Sequence, residues 1–475
     1  MSRSLLHRVC LMVVALGLVV AGWSMVAARQ VAAPVPVADP DTRSADEFFG
    51  LDRLHAIHLT FSRENFDTML PSGRAGRGFQ FGADDSGYPK VTAALAFGDR
   101  PWGTVTVRYK GNSSFRSAPS ELKRSLKIDF DKPDKSRSFF GLETLNLNNN
   151  AMDASQMREA LAYDVFRRAG VVSPRTAFVR VYITVPGRYD HEYAGLFTAI
   201  EQIDQRFFRD RWGERVGVLV KPERLSGMPD LGDDWAAYES RYSSKIDAKP
   251  KDVQRFITFV RFVNTASPEE FAARLDEYLD VDSFLRFLAA QVVLVNVDSP
   301  LGMNHNYWIT VDPRSEKVVW LPWDLNMAFG GFMSGTADLS LTQPAGRGMF
   351  PLAERVLATP AFAARYRAMV TEMVENNVSL ARLGVAIADT AVVIREAVLA
   401  DPTTTESRFE ANFSDSGSAL TDTSGGGFGG FGRGRTGPPL RRFLLDRLVS
   451  INGQLDGTRP GTPGRSGRGG FGGFQ

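Results

Sequence analysis

The sequence predicts an α+β fold, with a strand-rich N-terminal half, one helix embedded among its strands, and a helical half after it. Three observations predict this. Between Thr104 and Lys221 apolar and polar residues alternate in several short runs, the period of half-buried strands. A helical stripe, Met157, Leu161, Val165, Phe166 and Ala169, interrupts those runs. From Asp252 onward the apolar spacing turns mostly helical. At 475 residues the chain is long enough for two or three domains, or for one large decorated domain.

The N-terminus comes first. Arg3 and Arg8 precede an apolar run from Val9 to Ala27, and Val26-Ala27-Ala28 offers the small residues of a cleavage site. Residues 1–28 therefore read as an export signal, and the expected location is periplasmic, surface or extracellular. An uncleaved membrane anchor over residues 9–27 is the alternative. Residues 29–45 form a Pro/Ala/Val-rich linker, and residues 46–350 the expected core.

Within the core, Thr104-Val-Thr-Val-Arg-Tyr109 alternates as a strand and meets the turn Lys110-Gly-Asn-Ser-Ser-Phe115. Ser125 to Phe130 alternates again, with Leu126, Ile128 and Phe130 on one face. Asp153 and Gln156 suggest a capping box for the helix that follows, and Gly170 ends it. Strands are expected at Ala177 to Thr184, Gly195 to Gln202 and Val216 to Lys221, then helices at Asp252 to Val263 and Asp282 to Val295. Tyr307 to Val311 and Lys317 to Trp323 read as paired strands, and residues 351–400 as C-terminal helices. Residues 401–439 are rich in Thr, Ser and Gly and are expected to be a disordered loop. A docking helix follows over 440–456, with Leu440, Phe443, Leu444, Leu448, Ile451 and Leu455 on one face. Arg441, Arg442 and Arg447 are expected largely opposite. Residues 457–475 form a Gly/Phe/Arg tail.

Composition narrows the function. The net charge of +2 gives no strong field toward nucleic acid. The one cysteine, Cys10, allows neither an internal disulfide nor a cysteine metal site. The five histidines include no HExxH pair, and no Walker-type GxxxxGK[ST] occurs.

The most informative passage is Asn296-Val-Asp-Ser-Pro-Leu-Gly-Met-Asn-His-Asn-Tyr-Trp308 with Leu321-Pro-Trp-Asp-Leu-Asn-Met-Ala-Phe-Gly330. It brings Asp298, Asn306 and Asp324 into one strand-loop-strand unit, where two buried elements end. Two carboxylates and a carboxamide so arranged can hold a hard cation and orient a hydroxyl nucleophile. An Asn/Asp-rich turn without chemistry is the plainer reading.

Several blocks, in order, carry a resemblance: KGNSS, KRSLKIDF, MREALAYDVFRRAGVVSPRTAFVRVYI, GLFTAIEQID, LVKPE, NHNYWI and LPWDLNMAFG. Across roughly Asp46 to Leu455 the chain resembles the spore-coat protein H (CotH) kinase family. The resemblance implies a two-lobed, atypical protein-kinase-like fold with a strand-rich N-terminal lobe and a helical C-terminal lobe. It implies ATP and Mg2+ or Mn2+ as cofactors, and a protein substrate with a Ser or Thr acceptor, the chain itself included. Asp298 then matches the catalytic-loop aspartate, and Asn306 and Asp324 the metal-binding residues, with Asn304 as a competing carboxamide. The aspartate of the PWD block is followed by Leu325-Asn326, where some relatives carry a second aspartate. Gly111, Ser113 and Ser114 match the phosphate-covering turn. Lys127 is the expected nucleotide lysine because it lies opposite the apolar face of its strand; Lys123 and Lys221 are further candidates. Glu159 and Asp164 are both available as its helical partner. Backbone groups at Glu201-Gln202 are expected to meet the adenine. Two other functions compete: a non-catalytic surface protein, matrix protein or adhesin that keeps the fold for binding, and a glycosidase with paired carboxylates, which lacks the aromatic platforms such a site needs.

Overall fold

Seven strands of the N-terminal half wrap into a closed barrel. The computed structural model describes residues 40–70, 87–111, 113–131, 138–222, 227–332, 336–415 and 437–465. The strands are β1 (Leu54–Thr60), β2 (Val91–Phe97), β3 (Arg100–Tyr109), β4 (Leu126–Asp129), β5 (Thr144–Asn148), β6 (Thr176–Val185) and β7 (Tyr189–Glu201). Their order around the barrel is β1-β2-β3-β4-β5-β7-β6. Six neighbouring pairs are antiparallel, and the seam is parallel: β1 runs alongside β6 from Leu54↔Phe178 to Thr60↔Thr184. Every strand thus has a neighbour on both sides, which removes the exposed edge that an open sheet must protect.

This corrects the expected two-lobed kinase-like fold. The α and β mixture is present, but the strand-rich half is a closed mixed barrel, and Pro40–Gln475 forms one compact unit. The physical reason lies in strands the alternation did not single out. In β2 the small residues Ala93, Ala94 and Ala96 dilute the apolar signal, and β5 is only five residues long. Once β1, β2 and β5 are added, β1 and β6 can meet and close the sheet.

Alternate residues of the strands fill the barrel. Ile57, Leu59, Val105, Val107, Ile128, Leu145, Leu147 and Val181 are fully buried. The opposite face of β3, β4 and β5 carries a polar row in register, Arg108–Lys127–Asn146. Lys110, Ser125 and Asn148 share that face, each two residues along from a member of the row.

The embedded helix is α1 (Arg158–Arg168), which starts later than expected. Asp153 does not cap with Gln156. Its carboxylate instead accepts from the amides of Ser155 and Arg158, and Gln156 adopts a left-handed φ of 59°. Gly170, at φ 81°, follows the helix end.

The helical half contains α2 (Gln205–Trp212), α3 (Trp235–Tyr242), α4 (Pro250–Thr265), α5 (Pro268–Tyr278) and α6 (Val281–Val293). A three-stranded sheet follows in the order β10-β9-β8, from β8 (Leu219–Val220), β9 (Tyr307–Val311) and β10 (Val318–Pro322). Then come α7 (Pro351–Ala358), α8 (Pro360–Asn376), α9 (Val385–Leu399) and α10 (Leu440–Leu455). Among the described residues, no single helix is long and apolar enough to cross a membrane.

Two buried cations tie the C-terminal helices to the rest. Lys123 Nζ donates to Asp401 Oδ2 and to the carbonyl of Leu196, both at 2.5 Å, and both charged side chains are completely buried. Arg447 on α10 was expected on the polar side. It is buried because its guanidinium donates to the carbonyls of Val292, Val293, Ala337 and Leu339. Four charge-assisted hydrogen bonds offset the cost of removing it from water. Residues 401–415 carry a helix, Glu406–Glu410, and a 3-10 turn, Ala411–Phe413. The rest of the loop as far as residue 436, the expected export signal over residues 1–28, and residues 466–475 of the tail lie outside the described residues.

Candidate active site

The end of the β9–β10 hairpin organises the polar residues. Tyr307 pairs with Pro322, so Asn306 and Trp323 come next across the ladder, and the amide of Trp323 donates to the carbonyl of Asn306 at 3.2 Å. Asp324 follows immediately. Its own amide donates to the hydroxyl of Tyr163 on α1 at 3.0 Å, which pins the hairpin end against the helix. Asn304, Asn306 and Asp324 all take left-handed φ values, of 53°, 62° and 53°. Asn and Asp are the side-chain-bearing residues that best tolerate that region, and such strain gathers at functional sites.

Asp298 reaches the same place from α6. The chain leaves that helix through Val295, at φ 49°, and winds around Ser299, whose carbonyl accepts from the amides of Gly302, Met303 and Asn304 at 3.1, 2.9 and 3.1 Å. Gly302 makes the winding possible: a Cβ there would lie 2.5 Å from the carbonyl oxygen of Val297. The loop returns His305 and Asn306 to Asp298. His305 Nε2 lies 2.9 Å from Asp298 Oδ1, and Asn306 Nδ2 donates to the Asp298 carbonyl at 2.9 Å and to Oδ2 at 3.3 Å. The carboxylate of Asp298 is thereby held in one orientation and remains partly open to solvent, at 15% side-chain exposure.

A second polar chain arrives from the barrel. Lys110, just past β3, donates to Asn148 Oδ1 at 2.8 Å, and Asn148 Nδ2 donates to Glu159 Oε2 at 2.9 Å. The Lys110 ammonium also lies 5.6 Å from the ring centroid of Trp323. Glu159 sits in the first turn of α1 and is buried, and its second oxygen, Oε1, has no hydrogen-bond partner. Burial, and then the neighbouring Asp324, push the Glu159 carboxyl up to about 8. Burial also raises Asp324; Asp298 adds to that rise, while Lys110, Lys221 and His305 oppose it. Asp324 lies deep among protein atoms yet keeps a partly accessible edge. Burial, Glu159 and Asp324 hold the Tyr163 hydroxyl well above its usual range. The site is thus a dense patch of carboxylates faced by two lysines and a histidine.

Asp298, Asn306 and Asp324 therefore come together. Gly111 and Ser114 border the patch through Lys110. Gly111 needs its φ of 80°, since a side chain there would collide with Ser114 Oγ, and its carbonyl accepts from Tyr88 at 2.7 Å. Ser113 opens the short helix Ser113–Arg116 beside it. Lys127 lies on the outer face of β4, on the same face as Lys110 and one pair further along. Lys123 is committed to Asp401, and Lys221 contributes to the field at Asp324. Of the two helical acids, Glu159 meets Asp324, while Asp164 pairs with Arg167 and Arg168. Glu201 turns its carboxylate to Arg175 and Arg211, at 2.5 and 2.6 Å, and its amide donates to the Arg175 carbonyl. The side chains that the sequence reading passed over are Lys110, Asn148, Tyr163 and His305. Lys110 and His305 stood inside quoted motifs; Asn148 and Tyr163 carried no signal of their own.

A divalent cation is implied by this chemistry, and the residues fit one. Asn306 and Asp324 bring hard oxygen donors to the hairpin end, Glu159 neighbours Asp324, and one Glu159 oxygen, buried, lacks a partner. Among the described residues no three or more His, Cys, Asp or Glu side chains form a ready-made metal cage. That suits magnesium, which takes one or two protein carboxylates and draws its other ligands from water and phosphate.

Comparison with known proteins places this geometry in context. The family model described as CotH kinase protein matches residues 107–423, well over half of the chain. The inner spore coat protein H of Bacillus subtilis (strain 168) is 25% identical over 288 residues, which span 59% of this chain and 75% of that protein. An alpha-L-rhamnosidase of Streptomyces avermitilis is 23% identical over 221 residues, covering 41% of this chain and only 20% of that protein.

Proposed function

The chain belongs to the CotH kinase protein family, and on that premise we propose that it is a magnesium-dependent protein kinase. It moves the γ-phosphoryl group of ATP to Ser or Thr hydroxyls of exported or surface proteins, itself included. The observation that carries this reading is the convergence of Asp298, Asn306 and Asp324 at one hairpin end, faced by Lys110 and Lys221. The reading rests on that site and not on the fold class, since folds host many chemistries. The spore-coat relative supports a location at or beyond the cell surface.

Each residue has a task. Asp298, oriented by His305 and Asn306, accepts the proton of the attacking hydroxyl. Asp324 and the Asn306 carboxamide would hold Mg2+, which when bound neutralises phosphate charge. Lys110 and Lys221 supply further positive charge beside it. The turn at Gly111 and Ser114 offers backbone N–H groups and a small hydroxyl toward phosphate oxygens.

The test is incubation of the purified chain with labelled ATP and Mg2+ or Mn2+, followed by detection of phosphoprotein. Asp298→Asn should keep MgATP affinity while losing about 10²–10⁴-fold in turnover. Normal turnover in that variant overturns the assignment of the base. A wild-type chain that transfers no phosphate to itself or to exported acceptors overturns the kinase reading and leaves a binding protein.

A further inference from the structure

In the arrangement familiar from ordinary kinases a lysine pairs directly with a helical glutamate. Here Asn148 stands between them, accepting from Lys110 and donating to Glu159. Lys110 therefore does not cancel the Glu159 charge at contact. Glu159 is only 2% exposed, and its Oε1 has no donor at all. A buried carboxylate oxygen left unsatisfied costs free energy unless something fills the gap. The group beside it is a second carboxylate, Asp324, whose outer edge is accessible. Asn148 holds one Glu159 oxygen, the other is left without a donor, and Tyr163 one turn along the same helix fixes Asp324 beside it, so the two carboxyl groups form half of a coordination shell.

We propose that Glu159 is a direct protein ligand of the divalent cation, joining Asp324 and Asn306, so that the helical glutamate serves the metal rather than pairing with a lysine. This rests on the metal-dependent reading above and deepens it. It makes two carboxylates and one carboxamide the protein's share of the shell, and it predicts appreciable cation binding before nucleotide arrives. Asn148 becomes the positioning residue that aims Glu159.

Glu159→Gln tests this, because Gln keeps the shape and still accepts the Asn148 hydrogen bond. The first readout is Mn2+ alone, titrated into the full chain without nucleotide and followed by electron paramagnetic resonance. The variant should lose at least the roughly 10- to 100-fold in affinity that removing even an outer-sphere partner costs. The second readout is the melting temperature. Without metal, Glu159→Gln should melt higher than wild type, because an amide NH2 in place of the donorless Oε1 can donate toward the neighbouring Asp324. With saturating Mg2+ the wild type should rise and the variant should not. Equal Mn2+ affinity in both proteins overturns this proposal and leaves the kinase reading standing. A lower metal-free melting temperature also overturns it, since Glu159 would then be a structural partner. Wild type that binds neither Mn2+ nor MgATP overturns both readings. Should Glu159→Gln fail to fold, Glu159→Asp keeps the charge but withdraws it by one methylene. The same loss of Mn2+ affinity is expected there, and retained affinity again overturns the proposal.

Discussion

Replacing Lys123 by Met should be among the most damaging single changes outside the site. Lys123 and Asp401 are both fully buried, and Lys123 is the cation that faces Asp401. Met fills most of the space but leaves a buried carboxylate without its counter-ion. Breaking such a pair costs about 3–5 kcal/mol. Asp401 would keep the Leu196 amide at 2.9 Å and the Thr403 amide and hydroxyl at 2.9 and 2.6 Å, which favours the lower end of that range. The expected loss is therefore about 3 kcal/mol, a large part of the 5–15 kcal/mol typical of a folded protein. Adding Asp401→Asn to Lys123→Met should recover much of the loss, because no charge is then stranded. Burial alone would raise the Asp401 carboxyl, but Lys123 and Thr403 outweigh it and hold it below the usual carboxylate range. In wild type its contribution is thus complete above the unfolded value and fades as pH falls through the folded one. In Lys123→Met burial would raise the same group, so the penalty should shrink as pH falls through the ordinary carboxylate range. Urea unfolding at neutral and acidic pH, followed by tryptophan fluorescence and circular dichroism, measures both effects. A neutral-pH loss below about 1 kcal/mol, or a loss that does not change with pH, refutes the argument.

Two further outcomes are expected. Gly302→Ala forces a methyl group against the Val297 carbonyl and should open the loop that presents Asp298. Phosphate transfer should then drop about 10²-fold with little change in circular dichroism, since a shift near 1 Å is enough; full activity would show that the loop adapts. Ending the chain after residue 456 removes the hydrogen bonds Thr462 makes with Asp338 and Ser340, and the one from the Gly464 amide to Gln343. That should cost about 2–4 kcal/mol at a net value near 1 kcal/mol for each bond; an unchanged melting temperature would show that these bonds do not hold the end of α10.

The sequence was legible where a local pattern sufficed. The paired strands ending at Val311 and beginning near Val318, and the helix Leu440–Leu455, follow from period and composition. The clustering of Asp298, Asn306 and Asp324 was legible for the same reason, because one short passage, the loop into the hairpin and the hairpin end, carries all three. What stayed hidden depended on distant pairing. No local pattern announces that β1 will lie beside β6, so a barrel could not be told from an open sheet. Lys123 and Asp401 are 278 residues apart, and each alone looks like a surface charge. Arg447 shows the same limit: helical spacing placed it on the polar side, but four carbonyls from other elements accept its guanidinium and draw it inward. The choice between Glu159 and Asp164 needed three dimensions, because only the fold shows which acid meets Asp324.

The parallel seam of the barrel has a consequence for biogenesis. Leu54 finds its neighbour at Phe178, so one flank of β1 has no partner until β6 has been made. At about 5–20 residues per second, a growing chain carries that open flank for roughly 6–25 s. During that interval the half-built sheet offers a row of free N–H and C=O groups to any other strand it meets. Refolding in vitro should therefore be sensitive to chain concentration even though the finished barrel has no edge, and holdase chaperones that mask β1 should raise its yield.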